Sequence, residues 1–171
     1  MSAVFSKKDK NSLMWSHYAD GMRGLCIVYD QQSLHNSGIK LSEIKYVESV
    51  IKTNIYDLKS EKITTTNPND YDANFILNHH EIYKHSYFKH LNWKYEEETR
   101  SIITNKDDIF ESNGQIIKIN DDTIKAVIIG NKMPRYNQDI IKMICKNKKI
   151  PIYLSEPNLR NFSVSYKEIK N

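Results

Sequence analysis

Two short apolar runs, Gly24-Leu25-Cys26-Ile27-Val28-Tyr29 and Ala126-Val127-Ile128-Ile129-Gly130, limit what this chain can fold into. Each has the length and the β-branched character of a buried strand, and glycine bounds each of them. Neither approaches the ~18 apolar residues that a membrane span needs, so no membrane segment is expected. A chain of 171 residues can bury one good core, and a single domain over 1–171 is the simplest division. The opening Met1-Ser2-Ala3-Val4-Phe5-Ser6-Lys7-Lys8 lacks the apolar centre of a signal peptide. Cys26 and Cys145 stand far apart and make no metal-ligand pattern. A reducing cytoplasm is therefore the expected compartment.

Between these runs the chain alternates short strand and helix signals. Ala3 to Ser6 reads as a strand, and Asp9-Lys10-Asn11-Ser12 as a turn and cap that opens a helix from Leu13 to Ala19. Ser33 to Ser37 reads as a helical turn, and Ile44 to Val47 as a strand. The Thr64 to Asp70 stretch is a loop, after which apolar spacing predicts a long helix from about Tyr71 to Leu91. Gln115 to Ile119 alternates like a strand. Tyr136 to Lys146 fits an amphipathic helix with Ile140, Ile141 and Ile144 inward. Ile150 to Leu154 reads as a strand whose Pro151 favours an edge or a strand start, and Phe162 to Ile169 as a last strand. The inventory is α+β: a mixed or antiparallel sheet of short strands, one long helix and two or three short ones.

Chemistry concentrates in Trp93-Lys94-Tyr95-Glu96-Glu97-Glu98-Thr99-Arg100. Read as a strand, this segment puts Glu96, Glu98 and Arg100 on one side. Tyr95, Glu97, Thr99 and Ser101 make a poor apolar stripe, which suggests that the charged side faces inward. A second cluster is Met14-Trp15-Ser16-His17-Tyr18-Ala19-Asp20. On a helix it gathers His17 and Tyr18 beside Trp15, a set suited to stacking on a flat ring and hydrogen-bonding a sugar. The same residues would also plug a core, and burial statistics favour that role for Trp15.

The net charge of +4 is weak grounds for a nucleic-acid partner. Of 25 basic residues only Arg23, Arg100, Arg135 and Arg160 are arginine. That skew, with heavy use of Asn and Ile, matches an AT-rich coding sequence whatever the function. Lys142, Lys146, Lys148 and Lys149 suit the negative end of a helix dipole. His79, His80, His85 and His90 are spaced too unevenly on a helix for a metal set, so no metal is expected.

Phe5-Ser6, the block Leu13-Met14-Trp15-Ser16-His17-Tyr18-Ala19-Asp20, and Arg23-Gly24-Leu25-Cys26-Ile27 resemble the signature of a bacterial family, domain of unknown function 2971. Lys89, Trp93, Tyr95, Glu96, Glu98, Arg100 and Ala126 to Gly130 resemble its later blocks, in order. Members usually begin with a further strand and helix that this chain lacks, which suggests an N-terminally truncated form or a complementing N-terminal partner.

The family's layout in turn resembles ADP-ribosyltransferases. That resemblance implies NAD as a substrate, with no resident cofactor required. Glu98 would stabilise the cation formed as nicotinamide leaves, and Glu96 would orient or deprotonate the acceptor. His17 and Tyr18 would hold the ribose or nicotinamide, Trp15 and Trp93 would contact the ligand, and Arg100 would pair with Glu98 or a phosphate. Three other readings stay open: a buried Glu98–Arg100 pair that only fixes the strand, a nucleic-acid-acting module, and a non-catalytic interaction module.

Overall fold

A computed structural model describes residues 2–49, 86–102 and 116–169. The fold is α+β, with three sheets among the described residues. The largest holds β2 (Leu25–Tyr29), β7 (Ile124–Ile129), β8 (Ile152–Asn158) and β9 (Ser163–Glu168), in that order. The two apolar runs of the sequence pair with each other in it, antiparallel, with Leu25 opposite Ile129. β7 and β8 run parallel, joined by the helix α3 (Arg135–Lys148) that a parallel crossover requires. β8 lies inside the sheet, and Pro151 stands just before its first residue, where a missing N–H does no harm.

Alternation along β7 divides the core in two. Val127 and Ile129 face α3 and pack with Met133, Cys145, Ile150 and Ile152. Ile128 faces the other way and packs with Trp15, Ala19 and Val164 beneath α1 (Ser12–Tyr18). Asn11 caps α1 by accepting a hydrogen bond from the Leu13 N–H at 2.9 Å. The chain after β7 closes onto the turn that follows α1, where Gly130 donates to the Gly24 carbonyl at 2.9 Å. A Cβ on Gly130 would lie 2.1 Å from the Met22 carbonyl oxygen, so only glycine fits there.

The second sheet has the order β1 (Ser2–Ser6), β6 (Glu98–Ile102), β3 (Ser42–Glu43), all antiparallel. A two-stranded parallel ribbon, β4 (Lys45–Val47) with β5 (Phe88–His90), pairs Tyr46 with Lys89. A short helix, α2 (Gln31–Asn36), follows β2 and is capped by Asp30.

Several sequence expectations are corrected. Trp93 to Arg100 is not one strand: Leu91–Glu96 is a 3-10 helix whose first turn is capped by His90, and Glu97 takes a left-handed conformation before β6 begins. The helix expected from Tyr71 to Leu91 falls mostly outside the described residues, and its last part is β5, drawn into pairing with β4. Residues 116–120 alternate in exposure as the sequence suggests but pair with no described strand, and Ile116 is fully exposed. In α3 the inward position one turn after Ile141 is Cys145, so Ile144 is turned outward. Phe162 has φ 53° and is exposed, and β9 starts one residue later. The loop expected at Thr64 to Asp70 lies outside the described residues.

Candidate functional site

The left-handed Glu97 turns the chain so that Glu96, ending the 3-10 helix, and Glu98, opening β6, converge. They are 2% and 3% exposed. Lys89, delivered by β5, hydrogen-bonds both: Oε2 of Glu96, and Oε2 of Glu98 at 2.9 Å. Arg100 donates from Nε to Oε1 of Glu98, and is anchored at its other end by the Ser86 carbonyl at 2.5 Å. Tyr18, from α1, donates its hydroxyl to Oε1 of Glu96 at 2.5 Å. Two negative and two positive charges thus close on one another, and every carboxylate oxygen has a donor. Tyr46 Oη accepts from the Glu98 backbone N–H at 2.8 Å, and Ser6 Oγ donates to the Glu96 carbonyl at 2.5 Å.

The electrostatics follow from this packing. Burial raises the Glu98 carboxyl, but hydrogen bonds and charge from Arg100 and Lys89 outweigh it, so Glu98 sits below its usual value. Burial lowers Lys89, and the two glutamates more than reverse that. The hydrogen bond to Glu96, with burial adding to it, pushes Tyr18 up to about 12.

Tyr18 is the link to a second feature. A cleft of about 770 Å³ opens between β1 and β2, which are both end strands of their sheets among the described residues. Its walls are largely apolar, including Val4, Phe5, Met14, Trp15, Val28 and Leu34. Lys7, Lys8, Asp9, Tyr18 and Gln31 add polar groups. Tyr18, 61% exposed, lines the cleft and also caps Glu96. Thr99 lines it too, and its side chain leaves β6 on the face opposite Glu98 and Arg100. The four charged groups therefore stand behind the cleft rather than in its wall. Cys26 also lines the cleft, but burial, with Asp9 adding to it, pushes its thiol up to about 11, which leaves it a poor nucleophile.

A family model described as a protein of unknown function, DUF2971, matches residues 14–101, just over half of the chain. The chain belongs to that family. Comparison with curated proteins and with solved structures gives no match. The matched DUF2971 segment carries every residue of the ion-paired cluster, from Tyr18 to Arg100.

The remaining residues singled out in this DUF2971 sequence divide. His17 is exposed and makes no ionic contact with the glutamates; its ring lies 6.2 Å from Tyr95 and 6.5 Å from Tyr18. Trp93 is 41% exposed, 6.1 Å from Tyr95, with the Lys89 ammonium 5.0 Å from its ring centroid. Trp15 is 3% exposed, packs in the core, donates its N–H to the Asp9 carbonyl at 2.6 Å and borders the cleft. Sequence reasoning gave no site role to Lys89 or Tyr46. Each belongs to a strand whose partner is distant in sequence, and no local spacing marks them. Among the described residues no group of three or more His, Cys, Asp or Glu side chains is placed to hold a metal ion, and no helix is long and apolar enough to cross a membrane. His79, His80 and His85 lie outside the described residues.

Proposed function

We propose that this chain is an ADP-ribosyltransferase-like domain that binds NAD in the cleft between β1 and β2. The observation that carries this reading is Tyr18, whose ring lines the cleft while its hydroxyl holds Glu96. The cleft volume falls in the range of small-molecule sites, with apolar walls and few polar groups. In the reaction, the bond between nicotinamide and ribose C1′ breaks and its electron pair leaves with neutral nicotinamide. The ribose is left as a cation, which Glu98 stabilises. The acceptor adds to C1′ and gives its proton to Glu96. Because Glu96 and Glu98 stand behind the cleft wall, this chemistry requires Tyr18 to turn aside and let the ribose through to them, and Arg100 holds Glu98 ionised.

A second reading is favoured by the full pairing of the four carboxylate oxygens. On it the cluster is a structural clamp, and the cleft binds a nucleotide without turnover. Nicotinamide release and NAD-induced thermal stabilisation, measured on wild type and Glu98→Gln, separate the two. The enzyme reading expects stabilisation in both proteins and release only in wild type. Stabilisation without release in either favours the clamp, and neither effect in either protein refutes the NAD site.

A further inference from the structure

Among the described residues, Lys89 is the one group that touches both carboxylates. Arg100 reaches only Glu98, and Tyr18 only Glu96. The two Oε2 atoms share a single ammonium, so the carboxylates are close enough to repel strongly without it. Arg100 is fixed to the Ser86 carbonyl, whereas Lys89 hangs from an unbranched stem under the half-exposed Trp93 ring.

We propose that Lys89 is the positioning residue of this site: its ammonium, seated between Glu96 and Glu98, keeps both carboxylates charged and side by side. Without it the balance among the described residues changes from two negative and two positive charges to two negative and one positive. Two like charges left facing each other hold a proton more readily. Among the described residues Glu96 is then left with the neutral Tyr18 as its side-chain partner, whereas Glu98 keeps the Arg100 guanidinium. Tyr46 faces Glu98 from β4 through the backbone N–H, and Ser6 faces the Glu96 carbonyl from β1; neither supplies a charge. Lys8 is paired with Glu97 and does not replace the missing cation. Lys89 therefore decides which chemistry the pair supports. A doubly charged pair suits stabilisation of a cation, and a proton-sharing pair suits general acid and base work.

The consequence for turnover rests on the NAD reading; the charge role does not. The test is a pH titration of the Glu98 side-chain carboxyl by carbon NMR in wild type, Lys89→Met and Lys89→Arg. Wild type should show the Glu98 carboxyl titrating below the ordinary range. Lys89→Met should raise Glu98, which loses one of its two cationic partners, by about one pH unit or more, and Lys89→Arg should restore the wild-type curve. A wild-type Glu98 that titrates at or above the ordinary range, or a Lys89→Met curve that does not move, overturns the proposal. If Lys89→Met does not fold, Lys89→Gln is titrated in its place, and the wild-type arm decides in any case. Where nicotinamide release is measurable, its acid limb should move upward in Lys89→Met. Absence of release in every protein, with the titration shift intact, refutes the NAD reading and leaves the role of Lys89 standing.

Discussion

Replacing Glu98 by Gln removes one charge and almost no volume, so its cost measures the clamp. Glu98 is 3% exposed and accepts from both Lys89 and Arg100. Gln keeps one acceptor oxygen and turns an NH₂ group toward a cation, so one charge-assisted bond is lost and the other becomes a bond to a neutral acceptor. Removing a partner from a fully buried pair costs about 3–5 kcal/mol. Here the side chains of Lys89 and Arg100 are 21% and 20% exposed, so they regain some water, and Lys89 keeps Glu96. We expect a loss of about 2–3 kcal/mol, in the range of hydrogen bonds to charged groups. For a chain of this size that lowers Tm by roughly 5–10 °C. Urea melts of Glu98→Gln, Arg100→Met and the double variant give the coupling directly, which should be at least about 1.5 kcal/mol. A loss below about 0.5 kcal/mol, the level of ordinary surface changes, would refute the reasoning that the pair is clamped.

Four further outcomes follow from named contacts. Glu98 is held below its usual value near 4.5, so its stabilisation is complete above that pH and is lost as pH falls through the folded value. The acid-side slope of stability against pH should flatten in Glu98→Gln. Tyr18→Phe loses the hydroxyl bond to Glu96, worth about 1 kcal/mol at this exposed ring. Because Tyr18 is raised from 10.0 to about 12, wild type should lose stability between those pH values, and the variant should not show that part of the loss. Trp15→Ala should cost about 3–5 kcal/mol, read by denaturant melting, since its ring fills the core between α1 and Ile128. Gly130→Ala drives a Cβ against the Met22 and Gly24 carbonyl oxygens and should cost about 3 kcal/mol or more by the same assay.

Where each residue's environment is set locally, the sequence reads correctly. β2, β7 and α1 follow from apolar periodicity and an Asn cap; Glu96 and Glu98 are buried, but not because their neighbours make a poor apolar stripe. Both faces of β6 are in fact buried, with Thr99 and Ser101 behind the charged side. Long-range pairing was not legible. β4 and β5 deliver Tyr46 and Lys89 from positions more than forty residues apart, and no spacing rule links them to Glu98. The left-handed Glu97 also escaped, because a non-glycine residue at positive φ leaves no local signature. It brings Glu96 and Glu98 together by a turn where an even strand was expected. Trp15 shows the other limit: composition marks an aromatic for stacking or for the core, and only packing decides.

The most direct test is a crystal structure of the protein grown with saturating NAD. The dinucleotide should lie in the cleft between β1 and β2, with a ribose hydroxyl within hydrogen-bond distance of Tyr18 or Glu98 and the Tyr18–Glu96 bond opened. An empty cleft at saturating NAD, with Tyr18 still bonded to Glu96, would contradict the account.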